Sequence, residues 1–426
     1  MIRLHRAGAL VALIWLAACA TSPSFPPSPH DAVRSVLLVS LDGVHPDYLG
    51  RGDTPRLDRL ARAGVRAEWM RPSYPSLTFP NHYTIVTGLR PDRHGIVHNT
   101  MHDDDLGRFR LADRDAVGDG RWWGGEPLWV TAERAGLATA TLSWPGSEAP
   151  VRGVRPARWH AFDHTRPVDT RVDMVVEWLD APAARRPRFA TLYFEHPDSA
   201  GHAHGPDSPQ LRKTMRMIDA AIGRLVDGLE AAGVRDEVDL VIVSDHGMAE
   251  VVDGHVVLVE DMVTPALASM VTSGQVVGFR PVAGRTAEAE QALLGRHSHY
   301  QCWRRDAMPA RWHYGLHPRV PPIVCQMDVG WDALPREHAA RRPAGTRGSH
   351  GFDPDAPQMR AIFIANGPSF RRGATLHGFD NVDVYPLLAR LVGVPPVPND
   401  GDPDTLLPAL RDPPTRRADR KDHPAH

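Results

Sequence analysis

Long uninterrupted apolar runs alternate with stretches of helical periodicity through most of this 426-residue chain. Residues 35–41 (Ser-Val-Leu-Leu-Val-Ser-Leu) form the first such run, which stops at Asp42-Gly43. A strand buried on both faces has this composition, and a parallel sheet covered by helices provides such burial. Similar runs at 138–143, 189–194, 240–244 and 361–365 predict further strands. Between them, amphipathic patterns at 54–63, 209–232 and 382–391 predict helices. The alternation predicts an α/β fold with a central, mostly parallel sheet flanked by helices. The pattern weakens between about residues 257 and 347, which reads as an inserted segment lying over the active site.

The termini carry different signals. Arg3 and Arg6 precede an apolar stretch, 7–18, that is short for a membrane span and reads as an export signal. It ends in Leu16-Ala17-Ala18-Cys19, which resembles a bacterial lipobox in which the cysteine is lipidated; ordinary cleavage that discards Cys19 is the alternative. Residues 1–18 are therefore expected to be a signal peptide and 19–32, rich in Pro and Ser, a lipid-anchored tether. The expected catalytic domain spans 33–410, and the polar segment 411–426 is expected to be a disordered tail. This organisation implies an exported, periplasmic protein held at the bacterial outer membrane through Cys19. Cys302 and Cys325 are then the remaining thiols, an even pair that could close a disulfide outside the cytoplasm.

A formal charge of -2 and the absence of a long basic run in the middle of the chain argue against tracking along a nucleic acid and favour small ligands. No protein partner is evident.

Open α/β sheets bind ligands beyond the carboxyl ends of their strands, so polar residues there carry most weight. The run at 35–41 leads to Asp42; 189–194 leads to Glu195-His196-Pro197-Asp198-Ser199-Ala200-Gly201-His202; and 240–244 leads to Asp245-His246-Gly247. A glycine-rich loop adds Gly348-Ser349-His350-Gly351. Asp and His supply the oxygen and nitrogen donors that zinc accepts at about 2.0–2.2 Å. Asp198 and His202 share one face if their turn is helical, whereas Asp245 and His246 can share an ion only if the chain leaves strand geometry there. Taken singly, each is more commonly a capping or loop residue; their joint placement at strand ends favours a metal site. His196 and His204 read as local hydrogen-bonding residues.

Between residues 74 and 88 the chain reads Tyr-Pro-Ser-Leu-Thr-Phe-Pro-Asn-His-Tyr-Thr-Ile-Val-Thr-Gly. Thr78 is placed to cap a short helix, Pro80 is tolerated in its first turn, and Gly88 suits its end. The positive helix end and the Phe79 amide would then face whatever Thr78 touches, a geometry suited to phosphate. A threonine hydroxyl becomes a competent nucleophile beside a divalent metal. The local residues fit a purely structural cap equally well, and only the metal cluster favours chemistry.

These residues, in this order, resemble the nucleotide pyrophosphatase/phosphodiesterases of the alkaline phosphatase superfamily. The resemblance rests on Leu41-Asp42-Gly43, Pro75-Ser76-Leu77-Thr78-Phe79-Pro80-Asn81-His82, Thr87-Gly88-Leu89-Arg90-Pro91, His94-Gly95-Ile96-Val97-His98-Asn99, Asp198 to His202, Asp245-His246-Gly247-Met248 and Gly348-Ser349-His350-Gly351. It implies two zinc ions, one held by Asp42, Asp245, His246 and the Thr78 oxygen, the other by Asp198, His202 and His350. It implies that Thr78 is the nucleophile of a covalent phospho-threonine mechanism, with Asn99 and the Phe79 amide forming an oxyanion pocket. Phe79 and Tyr193 resemble the family's aromatic clamp for a nucleobase, with core packing an equal alternative for Tyr193. Nucleotide diesters and pyrophosphates are the implied substrates and nucleoside monophosphate the product. Phosphomonoesterases, phospholipid or choline-ester phosphodiesterases and phosphonate hydrolases share the same metals. The absence of an arginine beside Thr78 in the motif favours diesters over monoesters. A lipid-tethered binding protein without catalysis would be expected to lack a ligand or the nucleophile, and every expected position is filled.

Overall fold

The computed structural model describes residues 34–411. The expected signal peptide, the expected tether with Cys19 and nearly all of the expected tail lie outside them. In chain order the elements that position the site are β1 (Ser35–Leu41), α1 (Pro55–Ala63), β2 (Val65–Ala67), α2 (Thr78–Thr87), β3 (Thr139–Leu142), β4 (Arg158–His160), α3 (Val168–Asp180), β5 (Phe189–Phe194), α4 (His196–His204), α5 (Pro209–Ala231) and β6 (Val238–Val243). A second group follows: β7 (Ala268–Thr272), β8 (Val276–Pro281), β9 (Gly295–Arg296), β10 (Tyr300–Arg304) and β11 (Ile323–Met327). The chain returns to the main sheet with β12 (Phe363–Asn366) and β13 (Ala374–Leu376), then ends its core with α6 (Val384–Val392).

The main sheet has eight strands in the order β13-β2-β12-β6-β1-β5-β3-β4. Strand β1 pairs in parallel with β5 on one side and β6 on the other. All seven residues of β1 are buried, as its continuous apolar run requires. Helices α3 and α5 pack together on one face, where Leu37, Val39 and Leu41 meet Val175, Leu179, Ile218 and Ile222; Val36 and Leu38 face the other layer with Val86 and Leu388. Each such fully buried aliphatic side chain contributes roughly 1.5–3 kcal/mol relative to exposure.

The predicted strands at 35–41 and 189–194 have the expected bounds, and the strand expected at 240–244 begins earlier, at Val238, and ends at Val243. The run at 361–365 is displaced to Phe363–Asn366 and runs antiparallel to both of its neighbours. A buried antiparallel strand and a buried parallel one present the same apolar run, so the direction was not legible. The weakly patterned insertion forms a lobe of its own. Strands β7 to β11 make a five-stranded antiparallel sheet in the order β7-β8-β11-β10-β9, and Cys302 is disulfide-bonded to Cys325 between β10 and β11. Among the described residues no helix is long and apolar enough to cross a membrane.

Candidate active site

Three adjacent strands, β6, β1 and β5, point their carboxyl ends the same way, and each delivers a carboxylate at that edge: Asp245, Asp42 and Asp198. Gly43, at φ +70°, turns the chain directly after Asp42, and a Cβ there would lie 3.2 Å from the Asp198 Cα. The left-handed turn and this close approach both favour glycine. The Gly43 amide also donates to Asp245 Oδ1 at 3.2 Å. Helix α4 follows β5 after one residue and places Asp198 and His202 on one face, with His202 Nε2 3.3 Å from Asp198 Oδ1. Strand β6 ends at Val243, so Asp245 and His246 lie beyond regular strand geometry and converge, with His246 Nε2 2.9 Å from Asp245 Oδ2. His350 completes the cluster, its Nε2 3.4 Å from Asp198 Oδ1 and its ring stacked on that of His246 at 3.6 Å.

The hydrogen bonds of the three histidines reveal what the cluster can hold. Nδ1 faces a backbone carbonyl in each: Gly348 at 3.0 Å from His202, Ser76 at 2.9 Å from His350 and Gly247 at 2.9 Å from His246. A carbonyl only accepts, so Nδ1 carries a proton in each, and Nε2, which faces the carboxylates, is the nitrogen left to ligate. Asp42 Oδ1, Asp198 Oδ1 and Asp245 Oδ2 are buried and accept no well-aligned hydrogen bond. A divalent cation among these oxygens and the three Nε2 atoms would satisfy them.

Burial, reinforced by Asp245 and Asp198, pushes the Asp42 carboxyl well above its ordinary range. Burial also raises Asp198. Asp245 is buried as well, but the adjacent His246 and His82 hold it well below its ordinary value. Burial, with His246 and His202 nearby, drives His350 well below its ordinary value, so a proton does not supply its missing positive charge. The donor set fits divalent metal. Sets of potential ligand atoms within 4.8 Å of one another are Asp198, His202 and His350; Asp42, Asp198 and His246; and Asp42, His82 and Asp245. The first is the expected second-metal set. The others place Asp42 between Asp198 and Asp245, so the two expected sets are contiguous.

His82 was not singled out by the sequence reading, although its separation of four from Thr78 puts it on the same side of α2. Its Nε2 meets Ser40 Oγ at 2.8 Å, and its Nδ1 lies 2.9 Å from the Thr78 carbonyl and 3.3 Å from Asp245 Oδ2. Both ring nitrogens are engaged by the protein, so His82 positions Asp245 and the start of α2.

Thr78 is not the helix cap. It is the first residue of α2, and Leu77, at φ -118° and ψ 154°, occupies the cap position. The side chain of Asn81 reaches back to the Leu77 and Pro75 carbonyls at 2.8 and 2.9 Å and closes this turn. The Thr78 hydroxyl is therefore not engaged in capping and lies 3.4 Å from His246 Nε2, against the metal-ligand cluster. Gly88, at φ +65°, ends the helix as expected.

Two expectations change in detail. The Phe79 amide donates to Asn99 Oδ1 at 3.0 Å, so it fixes the Asn99 side chain instead of standing beside it as a second donor. The Asn99 amide group keeps its own N–H donors, as the amide geometry dictates. Tyr193 is fully packed, not presented as an open ring. Its position on the buried strand β5 turns its hydroxyl to Asp42 Oδ2 at 2.5 Å and its ring edge to His82 at 5.0 Å. Phe79 is half-buried against Phe109 and Trp123, with ring centroids 6.0 and 5.9 Å away. The cluster is most open at His202, whose side chain is 39% exposed.

The family model described as type I phosphodiesterase / nucleotide pyrophosphatase matches residues 36–353. An uncharacterized pyrophosphatase/phosphodiesterase of Schizosaccharomyces pombe is 36% identical over 88% of this chain and 80% of its own length. The Naja atra venom phosphodiesterase and the rat ectonucleotide pyrophosphatase/phosphodiesterase family member 3 are each 34% identical over 89% of this chain, which spans 46% and 44% of their lengths. Among solved structures, an inactive form of murine ectonucleotide pyrophosphatase/phosphodiesterase 5 in complex with AMP superposes with a TM-score of 0.84 at 31% identity, covering 89% of this chain and 100% of that one. This chain belongs to the type I phosphodiesterase / nucleotide pyrophosphatase family.

Proposed function

We propose that the chain hydrolyses phosphodiester and pyrophosphate bonds of nucleotides and related small substrates, releasing nucleoside monophosphate. The observation that carries this reading is the Thr78 hydroxyl, uninvolved in capping at the N-terminus of α2 and 3.4 Å from His246 Nε2 in a buried cluster of carboxylates and imidazoles. The AMP complex of the murine neighbour supports the nucleotide class.

Asp42, Asp245 and His246, with Thr78, would hold one divalent cation, and Asp198, His202 and His350 a second. The all-nitrogen-and-oxygen donor set favours zinc, and two such ions supply Lewis-acid stabilisation to the attacking and leaving oxygens. Thr78 Oγ attacks phosphorus, its proton passes to the leaving oxygen as that oxygen's bond to phosphorus breaks, and a phospho-threonine ester forms. Water then attacks phosphorus, the bond to Oγ breaks, and Oγ takes up the proton that the water gives up. The positive end of α2 faces the anion, and the Asn99 amide group, oriented by the Phe79 N–H, donates to a phosphoryl oxygen. The half-buried Phe79 ring offers the stacking surface for a base.

The test compares a chromogenic nucleoside-monophosphate ester with the matching phosphate monoester, using zinc-loaded wild type and Thr78→Ala. Preference for the diester, with turnover abolished in Thr78→Ala while zinc stays bound, is the expected result. A preferred monoester or a fully active variant overturns the substrate class or the nucleophile.

Export and anchoring at the outer membrane through Cys19 is part of the same proposal, supported by Arg3, Arg6, the apolar stretch 7–18 and the lipobox-like sequence. Incorporation of labelled palmitate into wild type, lost in Cys19→Ser, is expected; equal labelling of both removes the anchor.

A further inference from the structure

The inserted lobe carries a buried polar network whose far end is the His350 turn. Gln275, between β7 and β8, is 9% exposed, and its side-chain amide donates to both Asp332 Oδ1 and Ser349 Oγ. Asp332 is held in turn by Arg342. From β11, the Gln326 amide group donates to the Gln275 backbone carbonyl at 3.1 Å and lies 3.5 Å from that of Gly351. Ser349 and Gly351 flank His350, whose Nδ1 rests on the Ser76 carbonyl two residues before Thr78. The turn has little room to shift: Gly351 has φ +107°, and a Cβ there would stand 2.8 Å from Leu77 and 3.3 Å from Gln275.

Gln275, Gln326 and Asp332 are polar side chains in a lobe that contributes no residue to the metal-ligand cluster. Placing them in a protein interior costs free energy unless they are bonded; Gln275 and Asp332 are bonded to one another and to Ser349 and Arg342, which fixes their geometry, while Gln326 Oε1 is left without a partner. We propose that Gln275 is a positioning residue for His350, so that the lobe sets the affinity of the Asp198, His202 and His350 half of the site for its divalent cation. The inserted lobe is thereby a support for the metal centre. The inference rests on the two-cation reading given above.

The test is titration of metal-free protein with Zn2+ alone, followed calorimetrically, for wild type, Gln275→Ala and Ser349→Ala, with thermal melts of each metal-free protein. Ser349→Ala removes one acceptor of Gln275 and leaves Asp332 in place, so it perturbs folding least. Two bound ions in wild type, with one weakened about 10- to 100-fold in both variants and the other unchanged, is the expected outcome. Restoration of the weakened ion's affinity in Ser349→Thr, which returns a hydroxyl, is also expected. Wild-type affinity for both ions in Ser349→Ala, or equal weakening of both, overturns the inference while leaving the two-cation reading intact. Fewer than two ions in wild type overturns that reading and the inference with it.

Discussion

The phenolic hydroxyl of Tyr193 donates to Asp42 Oδ2 at 2.5 Å, tying the middle of the carboxylate cluster to the floor of the sheet. Asp42 belongs to two of the candidate ligand sets, one with Asp198 and His246 and one with His82 and Asp245, so this bond orients a carboxylate that both use. Replacing Tyr193 with Phe keeps the packing and removes the donor. We expect kcat to fall about 10- to 100-fold through weakened metal binding, with KM little changed. Steady-state kinetics on a nucleoside ester and a base-free diester check this; a rise in KM confined to the nucleoside ester would return Tyr193 to a base-binding role.

His82 bonds Ser40, the Thr78 carbonyl and the vicinity of Asp245 from a fully buried position. His82→Phe leaves Ser40 Oγ without this partner and removes the ring nitrogen that lies 3.3 Å from Asp245 Oδ2. Each unsatisfied buried group costs about 1–3 kcal/mol, so the melting temperature should drop by several degrees. A melt indistinguishable from wild type would show that the ring is dispensable for the fold.

Acid should destabilise the fold through two buried histidines. Burial lowers His94 to about 3 and His98 to about 4, from an ordinary 6.5. Between those values the unfolded chain binds protons that the folded chain refuses, so stability rises with pH and is lost as pH falls below about 6.5. By pH 4 the loss is roughly 3 kcal/mol for each residue. His94→Gln, which can still bond Thr84 and the Ile96 amide, should flatten the slope between pH 4 and 6.5 in denaturant titrations of metal-free protein. An unchanged slope would remove His94 as a cause.

Chelation should lower the melting temperature as well as abolish turnover, because it leaves Asp42, Asp198 and Asp245 buried together without a cation. A ligand present at a thousand times its Kd stabilises by about 4 kcal/mol, so re-addition of zinc should restore the melt in a concentration-dependent way. Thr78→Ala should show the same restoration, since it retains every carboxylate and imidazole. A melt insensitive to chelator would argue that the cluster is held by other means.

Much of the architecture was legible because burial on two faces imposes one composition. The runs at 35–41 and 189–194 admit little besides central strands, and Asp42 stands immediately after the first of them. The spacing of Asp198 and His202 needed only a helical turn, which α4 provides. Strand direction at Phe363–Asn366 was not legible, since the same apolar run serves either orientation. The order Asp-His-Gly after β6 signalled a bend, but the convergence of Asp245 with His246 depends on where β6 ends.

The sequence by itself determined which residues could ligate, which strands would carry them and that Thr78 opens a helix, because periodicity, turn chemistry and donor type are local properties. The tertiary structure decided what each does. It set Leu77 as the cap because Asn81 closes that turn, and it turned Tyr193 onto Asp42 because β5 lies beside β1. It also put Gln275 against Ser349 because the inserted lobe folds back on the site. Such contacts join residues far apart in the chain, and no local pattern encodes them.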